Sequence, residues 1–168
     1  MEDSLNFKED VSFGLGKGMS DGVKYTGHVS LVLRDENCNL KDTREIHNTV
    51  TNAGRYGLMD NILATPTGTG YTAKPNWMEV GTGTPVTTIL GAYVSGSRTA
   101  CSSITRASNV VTFVCTFAAG VGTGALTEAG VFDVVTQNTA YLWMSTNFAT
   151  VNKASGDSLQ ITWTLTAS

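Results

Sequence analysis

The sequence predicts a mainly-β protein, an antiparallel β-sandwich or jelly-roll-like barrel with one short α-helix. Three observations predict it. In the last ten residues Leu159, Ile161, Trp163 and Leu165 fall on one parity, and Gln160, Thr162, Thr164 and Thr166 on the other. Successive side chains of a strand point to opposite faces, so this segment reads as a half-buried strand with an apolar side and a hydroxyl side. Second, only 15% of residues are charged, and 17 of those 25 lie in residues 1–60. The later chain is rich in Thr, Ser, Gly, Ala and Val, as suits sheet surfaces solubilised by hydroxyls or surfaces given up to neighbours, where charges would be costly to desolvate. Third, short apolar runs recur between Gly-rich breaks, the spacing of sandwich strands.

Taken in order, residues 1–22 hold four glycines and no sustained period, and predict an extended N-terminal arm. Leu5, Phe7, Val11, Phe13 and Leu15 share one parity, as expected of a segment laid as a strand against a neighbour's sheet or against its own domain. Residues 23–168 predict a single β-sandwich domain. Residues 23–34 form its first strand, with Val29, Leu31 and Leu33 on one side, and residues 40–50 return as a more polar edge strand. A helix near residues 52–64 is capped by Thr51 or Asn52 and carries a stripe of Leu58, Met59, Ile62 and Leu63. It ends by Thr65-Pro66, because the residue before proline avoids the helical region. Residues 67–75 read as a loop, 77–80 as a short strand, and 87–93 as a strand or a helical turn. A hairpin joins residues 100–105 to 110–118 through Ser108-Asn109, placing Ile104 opposite Phe113 and turning Cys101 away from the Cys115 face. Residues 120–124 read as a loop, and 131–135, 140–144 and 159–166 supply the remaining strands. The last of these closes the domain and is expected to tolerate no trimming.

The bulk properties exclude several functions. A net charge of −3 and no clustered Lys/Arg argue against nucleic acid as a partner. The start Met1-Glu2-Asp3-Ser4 lacks a signal peptide's basic n-region, and no apolar run is long enough for a membrane helix. Cys38, Cys101 and Cys115 are spaced too widely for a zinc or redox motif, and read as free, small core or semi-buried residues of a protein folded in the cytoplasm. His28 and His47 have no acid at metal-ligand spacing, and there is no Gly-x-Ser-x-Gly elbow. Neither glycine run, residues 14–18 or 120–124, has the spacing of a phosphate-binding loop. Glu128 stands alone in a charge-poor stretch. It reads as a structural carboxylate, paired with Arg98 or Arg106 or accepting backbone N–H groups, and tying the 120–124 loop to a strand starting at Val131. The sequence nominates no catalytic, cofactor-binding or metal-ligating residue.

Four blocks carry a resemblance. Thr127-Glu128-Ala129-Gly130-Val131-Phe132-Asp133 resembles a recurrent signature of small structural proteins of tailed bacteriophages. So does Phe148-Ala149-Thr150-Val151-Asn152-Lys153, followed by Gly156-Asp157-Ser158-Leu159 and the Ile161-Thr162-Trp163 strand. His47-Asn48-Thr49-Val50-Thr51-Asn52-Ala53-Gly54 and Val80-Gly81-Thr82-Gly83-Thr84 resemble the same family's earlier blocks. Related motifs occur in tail-fibre attachment domains. Where such proteins often carry an arginine before the phenylalanine, this chain has Trp143-Met144-Ser145-Thr146-Asn147, so Glu128 needs another partner. The resemblance implies a non-enzymatic virion protein, decorating or cementing a capsid. The alternative is a tail, baseplate or fibre-attachment component. Its partners would be other virion proteins, a major capsid protein or tail and neck subunits, in repeated copies or as a homo-oligomer. A carbohydrate-binding sandwich is the reading from another class, with Trp77, Trp143 and Tyr141 as stacking platforms.

Overall fold

The computed structural model describes residues 24–60, 74–86, 88–137 and 142–168. The arm expected at residues 1–22, the helix end with Ile62 and Leu63, the loop at 67–73 and Tyr141 lie outside the described residues.

Among the described residues, ten strands form two antiparallel five-stranded sheets, a β-sandwich with one short helix. Sheet A has the order β2-β1-β10-β7-β6, built from β1 (Tyr25–Arg34), β2 (Leu40–His47), β6 (Ser103–Ala107), β7 (Val110–Phe117) and β10 (Ser158–Ala167). Sheet B has the order β3-β9-β8-β4-β5, from β3 (Thr49–Val50), β4 (Trp77–Gly81), β5 (Thr99–Ala100), β8 (Gly124–Phe132) and β9 (Leu142–Lys153). As expected, the terminal strand is central: β10 pairs Trp163 with Val29 on β1 and with Phe113 on β7. The polar strand β2 lies at an edge.

The core sits between the sheets. Val29, Leu31, Ile161 and Trp163 from sheet A meet Met78, Val80, Val131 and Met144 from sheet B, and each is at most 2% exposed. Burying a side chain of this size is worth roughly 1.5–3 kcal/mol before ordering entropy. A one-residue slip would put the whole inward set into water, so register is strongly specified. Helix α1 (Asn52–Asp60) closes one end. The Gly54 N–H donates to Thr51 Oγ1 at 3.0 Å, which settles the cap on Thr51. A Cβ on Gly54 would run into the Trp143 carbonyl, so the glycine is what lets the helix seat on β9.

Several strand assignments are corrected. Residues 100–105 are not one strand. The chain leaves sheet B after Ala100 and enters sheet A at Ser103, and Ser102 and Ser103 both stand opposite Val114. That bulge consumes one residue and reverses parity. The hairpin turn and the Ile104–Phe113 pair are as expected, but Cys101 packs toward the core beside Cys115 instead of facing away. All three cysteines are free, yet Cys38 is exposed, in a turn with φ 65°, not semi-buried. The strand expected at 131–135 ends at Phe132 and begins at Gly124, and that expected at 140–144 runs to Lys153. The edge strand at 40–50 divides between sheets after His47. Residues 88–93 form neither strand nor helix beyond a single bridge, Tyr93 to Gly81.

Candidate functional site

The residues that stood out in the sequence become buried anchors. On β4, Met78 and Val80 enter the inter-sheet core, so Trp77, Glu79 and Gly81 face outward. On β8, Val131 enters the core, and Gly130 and Phe132 face outward. Leu126, Ala129 and Val131 all reach the core because β8 and β9 lose register between Leu126 and Glu128, which turns Glu128 outward. Among the described residues of the segment 82–98, Gly83 and residues 90–92 lie against this outward side, while Tyr93, Val94 and Ser97 bond along the β4 edge. Leu90 from that segment joins Phe132 and Leu142 as a second apolar cluster, with Trp77 packed against it.

Glu128 holds the segment down. Its carboxylate, fully buried, accepts three backbone N–H groups: Gly83 at 3.0 Å and Ala92 at 2.7 Å on Oε1, and Gly91 at 2.9 Å on Oε2. The structural role expected of Glu128 is therefore seen, but the loop it ties is 82–98, not 120–124, and it lies within β8, not before it. Neither expected arginine is its partner. Arg98 pairs with Glu79 at 2.8 Å, both nearly fully buried, donates to the Val134 carbonyl at 2.7 Å, and stacks 3.6 Å over Phe132. Arg106 donates to the Ser108 carbonyl. The close approach of residue 83 to Ala92 explains a glycine there, since a Cβ would lie 2.7 Å from the Ala92 nitrogen.

The other resemblance block builds a second anchor. Buried Lys153 donates to the carbonyls of Ala118 at 3.0 Å and Asp157 at 2.7 Å. Asp157 accepts from the Ala154 N–H at 2.8 Å and from Lys41 at 2.6 Å. The Lys41 hydrogen bond and the Ala154 N–H hold the Asp157 carboxyl below its ordinary range, while burial pushes the Lys153 ammonium below its own. Burial pushes the Asp133 carboxyl up, partly offset by the Trp143 indole N–H. Glu128 and Lys153 direct their hydrogen bonds to backbone groups, and Asp157 to a backbone N–H and Lys41, so these groups order turns.

His28 and His47 sit opposite each other on β1 and β2, with His28 Nε2 3.0 Å from an exposed Glu45 carboxylate. Among the described residues, no three His, Cys, Asp or Glu side chains come together as a metal-binding group. The stacking-platform reading fails at Trp143, only 2% exposed, and Trp77 is half-buried against Phe132 and its neighbours. An apolar cavity of about 220 Å³ lies at the α1 end, lined by Leu58, Ile104, Phe113 and Trp143 among others. No described helix is long and apolar enough to cross a membrane.

What remains is a surface. Outward on sheet A the registers align two rows, His28–Thr164–Thr112–Thr105 and Ser30–Thr162–Val114–Ser103, running from β1 to β6. The flanking rows are Thr26–Thr166–Val110–Ala107 and Val32–Gln160–Thr116. None of these side chains is buried, and none is Asp, Glu, Lys or Arg. Among the described residues, charges border these rows at Lys24 and Arg34, at the two ends of β1, and on the edge strand β2. Hydroxyls and short apolar groups cost far less to desolvate than charges, and interface centres are depleted of charge. Sequence reasoning anticipated hydroxyl-rich sheets given up to neighbours but not which sheet would stay open. Compared with protein-family models, with curated proteins and with solved structures, the chain matches none.

Proposed function

We propose that this chain is a non-enzymatic virion structural protein of a tailed bacteriophage, one that decorates or cements the capsid. The observation that carries the reading is the outward face of sheet A, free of Asp, Glu, Lys and Arg side chains along its aligned rows and uncovered among the described residues. The sequence blocks resembling phage structural proteins support it. So does the use of Glu128, the acid that stood out in the sequence, as a hydrogen-bonded anchor of backbone N–H groups. Repeated weak contacts across such a face multiply on a symmetric shell. The chain would be made in the host cytoplasm and joined to particles there.

The test is immunogold labelling of purified particles through an epitope at residues 1–3. Many labels over the capsid shell are expected. Label confined to the tail would move the protein to a tail, baseplate or fibre-attachment role, and particles free of label would overturn the virion reading.

A further inference from the structure

We propose that Cys101 and Cys115 close a reversible disulfide across the point where the chain crosses from sheet B to sheet A. The β6–β7 ladder ends at the Ser103–Val114 pair, the Ser102 N–H also donates to the Val114 carbonyl, and the Cys101 N–H still donates to the Asn76 carbonyl, so Cys101 sits at the crossover with its side chain packed toward the core. The Cys115 sulfur lies 3.6 Å from the Thr99 carbonyl oxygen and 3.7 Å from that of Ala100, the residue bonded to Cys101. That contact brings the Cys101 backbone within reach of the Cys115 sulfur, the approach a disulfide requires. Cys101 is half-buried and Cys115 fully buried, so an oxidant reaches Cys101 first.

The two thiols also share a hydrogen bond, which holds Cys101 below the ordinary thiol range and pushes Cys115 above it. The greater exposure of Cys101, with the thiol directions in accord, makes it the attacking sulfur and Cys115 the resolving one. With glutathione disulfide as oxidant, the Cys101 thiolate attacks one sulfur and forms a mixed disulfide. The first glutathione leaves as thiolate and takes up the proton Cys101 lost. Cys115 then gives up its proton, attacks the Cys101 sulfur and expels the second glutathione as a thiol. Two protein thiols and one glutathione disulfide become one protein disulfide and two glutathiones, and excess thiol reverses the sequence.

The bond would enclose the β6–β7 hairpin and pin the sheet crossover to β7. A reducing compartment keeps it open, and oxidising surroundings close it. It concerns this fold alone and stands or falls separately from the virion reading.

The experiment uses the full chain carrying Cys38→Ser, so that the exposed thiol cannot link two copies. After incubation of the folded protein with glutathione disulfide, thiol titration in denaturant should find neither cysteine. The mass should fall by two hydrogens with no glutathione retained, and Tm should rise by roughly 5 °C or more. Adding Cys115→Ala should leave one glutathione on Cys101 and no such rise. Two thiols still titratable, glutathione retained on Cys101 with Cys115 present, or a bond formed only in denaturant would overturn the proposal.

Discussion

Among the described residues, the outward side of β1, β10, β7 and β6 in sheet A stays uncovered, whereas Gly83 and residues 90–92 lie against the outward side of sheet B. The difference follows from what each sheet points outward. Sheet B presents Trp77, Glu79, Phe132 and Leu142, an apolar set with a carboxylate inside it, which must be covered and paired. Sheet A presents threonines, serines and short aliphatics, which water solvates well enough. Among the described residues, one sheet has its outward side covered and the other does not. In a protein proposed to assemble, the unfinished face is the one to follow.

The largest expected effect tests what the two sheets share. Trp163, fully buried between them, should cost about 3–5 kcal/mol on Trp163→Ala. Urea denaturation would read that loss, and an unmoved midpoint would mean the inter-sheet core is misassigned. The next effect belongs to sheet B alone. Glu128→Ala strands three backbone N–H groups under the covering segment and should cost about 3–4 kcal/mol. Glu128→Gln, which sets an amide N–H₂ against at least one donor, should cost about 1–3. Hydrogen exchange should show residues 82–98 opening in both variants while β1 and β10 stay protected. Loss of protection in sheet A as well would show that the two outer faces are not independent.

Smaller effects come from the second anchor. Lys153→Met leaves the Ala118 and Asp157 carbonyls without their donor and should cost about 1–3 kcal/mol. Asp157 titrates below its ordinary range in the folded chain, so its contribution is complete above the unfolded value near 3.9 and is lost as pH falls through the depressed folded one. Stability measured against pH should therefore fall on the acid side, and Asp157→Asn should flatten that part of the curve. An unchanged acid slope would remove Asp157 from the account.

The sandwich was legible in the sequence because its central strands obey a strict period of two. Val29, Leu31 and Leu33, and likewise Leu159, Ile161 and Trp163, declare their inward side without tertiary information. The errors fall where one residue breaks that period. The extra residue at Ser102 turned Cys101 around, and the lost register after Leu126 hid Glu128 inside a strand. The cover over sheet B could not be read either, because residues 82–98 carry no periodicity. Their placement depends on Glu128, remote in sequence, finding three N–H groups. The resemblance blocks were visible as motifs, but only their geometry makes them turn anchors. The open face on sheet A was half legible: the threonines were evident, and the sheet they belong to was not.

The most direct measurement of the central claim adds charge to the open face without touching either core. Thr112 and Thr164 are cross-strand partners, so Thr112→Glu with Thr164→Lys places opposite charges side by side and should change stability by no more than about 0.5 kcal/mol. Co-sedimentation with particles lacking the chain would then compare this variant with the unaltered protein. The variant should fold with an ordinary Tm and no longer join particles. Binding at the unaltered level would contradict the central claim and place the contact elsewhere on the molecule.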